Sequence, residues 1–327
     1  MYRSGINVKN PGRAGYKSMV GRFCGRAKER FWELDFARGI CVVLMVFDHC
    51  MYCMWGILPF INEVLGTAFL SGAEEVGRAY WNWEFRQTAR FFVITAFFML
   101  CGISCTLTRG NFRRFIPLAL VAGGITCVTR LIDSFGMEGT TILFGVIHML
   151  AAGILLYALL DNAAVAVGDM LGQGKVSRFF REALRYLPGI VGIGMLVWLF
   201  NGYAHLSFEN GYLDIVSDFT GASTTQENMF LSIFLSIKAA PSNHYFEYDA
   251  YTSDYFPILP WAAVVLMGGI VGRLVYHSSA KYAFAPLGGA WNSGVCFLGR
   301  HAAVIYIAHM IVIPALFALC ALISSLF

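Results

Sequence analysis

The chain of 327 residues is too apolar for a soluble globular domain, since 57% of its residues are hydrophobic, 13% are charged and its mean hydropathy is +0.62. Soluble domains carry charge at about a quarter of their positions. The formal net charge is +4, but the basic residues lie in short clusters between apolar runs, which is typical of membrane topology signals. Composition therefore predicts an integral membrane protein, and no nucleic-acid partner is expected.

The first thirty residues form a basic segment. They contain eight Lys or Arg residues and one Glu, and the apolar run that follows has no small-residue cleavage site of the kind that ends a signal peptide. We therefore expect a retained cytosolic tail over residues 1–30 and a single transmembrane domain over residues 31–327.

Seven apolar runs approach the length of about 17 to 25 residues that a helix needs to cross a hydrocarbon core of about 30 Å. Such runs are too long for barrel strands, so the predicted fold class is all-α, a polytopic bundle of seven transmembrane helices. An eighth run, over Asn228–Ala240, is shorter and fits an interfacial or re-entrant segment better; whether it spans is left open. The seven predicted spans are Phe36–Leu58, Arg90–Leu107, Phe115–Ile132, Thr141–Leu160, Tyr186–Asn201, Phe256–His277 and Ala302–Leu326.

The connecting segments predict the orientation, because Lys and Arg are retained on the cytoplasmic side. With seven spans, the basic clusters all fall on one side, and the acidic region over Asn201–Asp254 falls on the other. We expect an integral protein of a bacterial plasma membrane, with the N-terminus cytoplasmic and the C-terminus extracytoplasmic. The basic clusters are the N-terminal tail, Arg109 with Arg113 and Arg114, Lys175 with Arg178, Arg181 and Arg185, and the segment Lys281–Arg300.

The first predicted span carries ionisable residues, which are costly in lipid and indicate function by default. Arg38 and His49 are eleven residues apart, which is three helical turns within about 20° and about 16.5 Å along the axis. A cation at the cytosolic boundary and an imidazole near mid-membrane suit an extended donor such as an acyl-CoA, with His49 as general base or transient acyl acceptor. In the alternative interpretation, Arg38 extends to the interface and His49 bonds a helix carbonyl.

Motifs along the chain are similar to those of the transmembrane acyltransferases, and more narrowly to the branch related to the catalytic domain of heparan-alpha-glucosaminide N-acetyltransferase. The resemblance begins at Arg30 and covers most of the chain, with residues 1–29 and parts of 160–250 left out. It rests on the stretch from Arg30 to Gly39 with Met45 and His49, and on Phe97–Ser104, Leu143–Leu150, Phe256–Trp261, Leu298–His301 and Tyr306–His309.

This resemblance implies an acyl-CoA donor, by default acetyl-CoA, on the cytosolic side. It also implies an extracytoplasmic acceptor such as a glycan or another alcohol or amine, with His49 as the histidine of the first span. Relatives have a Tyr-His pair followed by Tyr-Asp, whereas here Asp48 precedes the histidine and Cys53 lies in the later region. Asp48 projects about 100° away from His49 on a helix and is not a simple replacement.

Further site candidates are ranked below Arg38 and His49. Asp35 and Asp48 lie on the same predicted helix, and His148 and His309 lie in later spans where each either faces His49 or bonds a helix carbonyl. A second group comprises Arg109, Arg113 and Arg114, which either bind the CoA phosphates or serve as topology signals.

A metal site is not expected. His49, Cys50 and Cys53 include a zinc-like Cys-x2-Cys spacing, but they supply three local ligands and no second Cys pair lies elsewhere in the sequence.

The predicted function is transfer of an acyl group from cytosolic acyl-CoA to an extracytoplasmic acceptor, with the lipid bilayer as surroundings. A homodimer is left open. Two alternatives belong to other classes: a small-molecule transporter or flippase, since polar residues in a bundle also mark a substrate path, and a non-catalytic membrane partner with the same fold.

Overall fold

The computed structural model describes residues 31–108, 110–134, 141–172, 174–202, 204–208, 211, 213–217 and 255–326. The predictions for the basic tail, Arg109, the run over residues 228–240 and most of the acidic region lie outside these residues. Within them, the protein is a helical bundle with a two-stranded antiparallel hairpin.

The helices follow the apolar runs of the sequence. The first helix passes without a break into a π-helical turn, Cys53–Ile57, and then into the second. The α-helices are α1 (Trp32–Tyr52), α2 (Leu58–Leu65), α3 (Ala73–Trp81), α4 (Glu84–Thr106), α5 (Asn111–Ser134), α6 (Val146–Met170), α7 (Lys175–Leu184), α8 (Leu187–Phe200), α9 (Ile258–Tyr276), α10 (Ser293–Arg300) and α11 (Ala302–Ser324).

The other elements are short. Strands β1 (Ala204–Ser207) and β2 (Asp214–Ser217) pair antiparallel, with Ala204 opposite Ser217. Three short 3-10 helices between α9 and α10 cover Ser279–Tyr282, Ala285–Leu287 and Ala290–Asn292.

Six helical stretches in the described part of the chain are long and apolar enough to cross a membrane, and the bent pair α7 and α8 raises the number to seven if it forms one span. The polytopic helical fold is thus confirmed. The predicted span Tyr186–Asn201 differs in extent: α8 has 14 residues, or about 21 Å, and is bent by 50° from α7. A span there needs both helices.

Helix α9 lies at the centre of the bundle, packed against α4, α6 and α8. Its contact with α4 is backbone to backbone, since a Cβ added to Gly102 would collide with the carbonyl group of Val265, and one added to Gly268 would collide with the carbonyl oxygen of Met99. Small residues permit such close approach between membrane helices, where dispersion rather than the hydrophobic effect drives packing. The α4–α9 pair is therefore a tight framework for the side chains that α4 carries.

Helix α1 is held in a similar way against α10. A Cβ on Gly299 would collide with the carbonyl group of Asp35, and one on Gly39 with that of Val295. Since α10 leads directly into α11, this contact fixes α1 and α11 side by side. These are the two helices that carry His49 and His309.

Candidate functional site

Two cavities lie inside the bundle, toward opposite ends of α1. The cavity at the start of α1, here called the Arg38 cavity, measures about 410 Å³ and is lined by residues that include Asp35, Arg38, Ser104, Arg114 and Arg300. The cavity at the end of α1, here called the His49 cavity, measures about 390 Å³. It is mostly apolar and aromatic, and its polar lining includes Asp48, His49, Tyr80, Arg86 and His309.

The Arg38 cavity concentrates positive charge. Arg38 donates a hydrogen bond to Asp35 at 3.0 Å and another to the hydroxyl of Ser104, while Arg114 donates to the side-chain oxygen of Asn111 at 3.3 Å. Arg300 lies at the end of α10 and lines the same space. Guanidinium groups are suited to phosphate oxygens because they present several donors in a planar fork.

The His49 cavity holds two imidazoles in contact. The rings of His49 and His309 are 4.6 Å apart between centroids and inclined at 83°. The Nδ1 atom of His49 lies 3.0 Å from the carbonyl oxygen of Met45, and that of His309 lies 3.1 Å from the carbonyl oxygen of Ile305. Each Nδ1 is therefore assigned the proton, and each Nε2 carries a lone pair.

The lone pair of His309 is buried. Its side chain is 5% exposed, and its Nε2 atom has no hydrogen-bond partner among the described residues. Buried polar atoms are satisfied in the great majority of cases, so an exception calls for an explanation such as a catalytic role or a bound group. Two basic nitrogens with free lone pairs are suited to accept a proton from a hydroxyl or an amine.

A buried ion pair adjoins the histidines. Arg86 is 3% exposed, and its Nε and Nη2 atoms donate to the two oxygens of Asp48, each at 2.7 Å. Its guanidinium also lies 3.7 Å from the ring centroid of Trp81, a cation–π contact. This pair connects α4 to α1 one residue before His49.

Tyr80 adds a hydrogen bond to the Asp48–Arg86 ion pair. Its hydroxyl donates to Asp48 at 3.2 Å. Burial and the neighbouring carboxylate of Asp48 both raise the pKa of Tyr80, so the hydroxyl remains a donor at neutral pH. Asp48 and His49 project in different directions from α1, as expected, yet both line the same cavity.

The π-helical turn begins four residues after His49 in the sequence. Helix α3 packs closely against it at Gly77, where an added Cβ would lie 2.8 Å from the carbonyl oxygen of Met51 and 2.9 Å from the amide nitrogen of Trp55. Cys53, the first residue of the turn, is buried and lines the His49 cavity. Single π-helical turns occur frequently at functional sites.

His148 lies apart from the two cavities, with neither of which it shares a wall. Its Nδ1 atom accepts from the backbone amide of Gly145 at 3.2 Å, and its Nε2 atom lies 2.9 Å from the hydroxyl of Thr126. Both ring nitrogens are thus engaged: Nδ1 accepts from the residue that precedes α6, and Nε2 connects α6 to α5. A catalytic role for His148 stays an untested prediction, and its contacts favour the structural alternative.

The two predicted arginines Arg113 and Arg114 also differ in whether they line a cavity. Arg114 lines the Arg38 cavity, whereas Arg113 is exposed and does not. Sequence reasoning missed four residues that adjoin the predicted ones: Arg86, Tyr80, Arg300 and the aromatic Phe97. Among the described residues, no three His, Cys, Asp or Glu side chains are grouped as metal ligands would be.

The two cavities meet at two aromatic side chains. Phe97 of α4 and Tyr306 of α11 are the residues that line both cavities within the described part of the chain. Tyr306 is 2% exposed, and its ring lies 5.5 Å from that of His309. Here these two rings are called the aromatic partition.

The fold is that of a polytopic helical membrane protein. Its candidate site comprises an arginine-lined cavity toward one end of the bundle and a histidine pair toward the other. A sequence model of the family described as "Heparan-alpha-glucosaminide N-acetyltransferase, catalytic" matches residues 30–172 and 220–311. The chain belongs to this family of acetyltransferase catalytic domains, as its motifs had predicted. Neither the curated proteins nor the solved structures compared with the chain gave a match.

Proposed function

We propose that the protein transfers an acetyl group from cytosolic acetyl-CoA to an extracytoplasmic acceptor, a sugar or glycan hydroxyl or amine. One observation carries the proposal: the His49–His309 pair lies across the aromatic partition from a cavity lined by three arginines, and the buried Nε2 atom of His309 has no hydrogen-bond partner among the described residues. Membership of an N-acetyltransferase family supports this reaction class and acetyl-CoA as the proposed donor.

The Arg38 cavity is the proposed donor site. Arg38, Arg114 and Arg300 would bind the phosphates of CoA, and the thioester end would extend along α1 toward His49. The basic clusters of the sequence support a cytoplasmic position for this end of the bundle. The His49 cavity would then take the acceptor from the opposite side.

In the proposed reaction, Nε2 of His49 accepts the proton of the acceptor hydroxyl or amine. The acceptor atom forms a bond to the thioester carbonyl carbon, and the carbon–sulfur bond breaks. The departing thiolate of CoA then accepts the proton from the imidazolium. The same lone pair would serve if the acetyl group first bonded to His49 and then passed to the acceptor. His309 offers a second lone pair beside the first.

Radiolabelled acetyl-CoA given to the purified protein in vesicles, with D-glucosamine as acceptor, tests the proposal. We expect release of CoA matched by labelled N-acetylated sugar, and a loss of about 10²- to 10⁴-fold in His49→Ala, the usual contribution of general base catalysis. His277→Ala is the matched control, because His277 is exposed and lines neither cavity. Solute uptake without CoA release would favour a transporter, and absence of both activities a non-catalytic role.

A further inference from the structure

The aromatic partition interrupts the path that acyl transfer would need. Arg38 lines one cavity and His49 the other, and Phe97 and Tyr306 stand between the two spaces. A thioester held by its phosphates in the Arg38 cavity reaches His49 by passing these two rings. The partition is therefore the place where side chains adjoin both cavities, between the proposed donor phosphates and His49.

The two rings are held from several directions. Both belong to the main apolar cluster of the bundle, which includes Phe98, Met149 and Val265. Phe97 also contacts a second cluster around Leu34 and Leu100, near the start of α1. A side chain packed on both faces in a dense interior changes rotamer at a cost, so the opening beside it has a defined size.

We propose that Phe97, together with Tyr306, selects the acyl group by size and admits short acyl chains such as acetyl. This inference rests on the proposed function and adds to it the residue that sets the acyl specificity. Because Phe97 also lines the His49 cavity, a longer acyl chain meets its ring there and fills space that the acceptor needs. The same rings limit the passage of water, which otherwise hydrolyses the thioester to free acid and CoA.

The preference for short acyl chains can be measured as a ratio of kcat/KM values for two acyl-CoA donors. Each additional methylene in a site that does not fit it changes kcat/KM by about 10- to 200-fold. We therefore expect the wild-type protein to use acetyl-CoA in strong preference to butyryl-CoA. In Phe97→Ala, the ratio of the two kcat/KM values should fall by about tenfold or more, since removing the ring makes room for two further methylenes.

The experiment compares wild type, Phe97→Ala, Phe97→Leu and Phe92→Ala in vesicles. Each receives acetyl-, butyryl- or hexanoyl-CoA with D-glucosamine. Phe92 is the matched control because it lies on the same helix, is 59% exposed and lines neither cavity. Phe97→Leu is a smaller change that should shift the ratio in the same direction, and the unfolding temperature of each variant separates altered selectivity from loss of the fold. CoA release in excess of acylated sugar measures the leak of water.

The outcomes are distinct. A reduced acetyl-to-butyryl ratio and increased excess CoA release in the Phe97 variants, with Phe92→Ala like wild type, support the selection. An active wild type whose ratio is unchanged by both Phe97 substitutions overturns it and leaves the proposed function standing. A folded wild type that consumes no acyl-CoA overturns the proposed function, and acyl selection with it.

Discussion

At the scale of single residues, the arginines at one end of the bundle differ in the space that they reach. Arg114 and Arg300 line the Arg38 cavity, whereas Arg113, beside Arg114 in the sequence, is exposed and does not. If the cavity binds the phosphates of CoA, Arg114→Ala or Arg300→Ala should raise KM for acetyl-CoA about 10- to 100-fold, since a hydrogen bond to a charged group is worth about 1.5–3 kcal/mol. Steady-state kinetics in vesicles measure this change.

The adjacent arginine provides the control. Arg113→Ala removes the same charge within one residue but outside the cavity, so KM should stay close to the wild-type value. The value of kcat should change less than KM in the cavity variants, because binding that is equal in ground and transition states affects KM. Equal effects of all three substitutions would indicate a general electrostatic contribution instead of a phosphate site.

The Asp48–Arg86 pair predicts a second residue-scale effect, on stability. Asp48→Asn leaves the guanidinium of Arg86, which is 3% exposed, without its counterion. Breaking a buried pair costs about 3–5 kcal/mol, and the 18% exposure of the Asp48 side chain places the expected loss near the lower limit. The free energy of unfolding in detergent, titrated with denaturant, measures it.

An exposed pair on α3 is the reference for this prediction. Arg78 and Glu74 form an ion pair four residues apart, with side chains 57% and 38% exposed. Glu74→Gln should change the free energy of unfolding by less than about 1 kcal/mol, because water screens such pairs. The double variant Asp48→Leu with Arg86→Leu should be more stable than Asp48→Asn, since it removes both charges; a double variant less stable than Asp48→Asn would contradict this account.

The sequence predicted part of the site for a clear physical reason. The periodicity of α1 relates Arg38 and His49, and both line cavities. Arg86 was missed because its partner Asp48 lies 38 residues away in the sequence, and because the polar residues after Glu84 lower the local hydropathy. The predicted span consequently began at Arg90, whereas α4 begins at Glu84, so Arg86 fell outside the predicted span.

At the scale of the elements, the close contact between α4 and α9 predicts how glycines tolerate substitution. The Cβ of Gly102→Ala would meet the carbonyl group of Val265, so the two helices would have to separate. Such overpacking typically costs about 1–3 kcal/mol. The unfolding midpoint in detergent should therefore fall, as measured by differential scanning fluorimetry.

Gly123 of α5 is the matched control for this prediction. A Cβ at Gly123 would meet no atom within 4 Å, and alanine is favoured over glycine in a helix by about 1 kcal/mol. Gly123→Ala should leave the midpoint unchanged or raise it. A fall of the same size in both variants would contradict this account, because Gly123 has no atom within 4 Å of an added Cβ and helix propensity favours alanine.

The elements also differ in how far the sequence could predict them. Long apolar runs predicted the six described helical stretches that are long and apolar enough to cross a membrane, and a seventh run falls on α8 of the bent pair, because length and hydropathy are local properties. The π-helical turn after α1 packs against α3 at Gly77, a contact between residues distant in the sequence that local hydropathy does not predict. The hairpin of β1 and β2 consists of four-residue strands, which are too short for a periodic signal.

At the scale of the whole molecule, contacts at the two ends of α7 and α8 determine how often the chain crosses the bundle. Arg181 of α7 donates to the carbonyl oxygen of Gly172, at the end where α6 finishes. After α8, the backbone amide of Leu213, just before β2, donates to the hydroxyl of Thr88 at 3.3 Å, near the start of α4 and the His49 cavity. These contacts place the two ends of the bent pair toward opposite ends of the bundle, as expected if the pair forms one span and the described part of the chain has seven candidate crossings.

An odd number of crossings predicts that α11 ends on the side opposite to the start of α1. If the Arg38 end is cytoplasmic, as the basic clusters indicate, a green fluorescent protein fused after Leu326 should be dark and an alkaline phosphatase fused there should be active. Fusions truncated after Thr108, at the Arg38 end of α4, should give the reverse pattern. Fluorescence of the fusion after Leu326 would show either that the orientation is reversed or that the chain crosses the membrane six times. With the orientation reversed, the arginines would face away from cytosolic CoA, so this measurement also tests the side from which the donor enters.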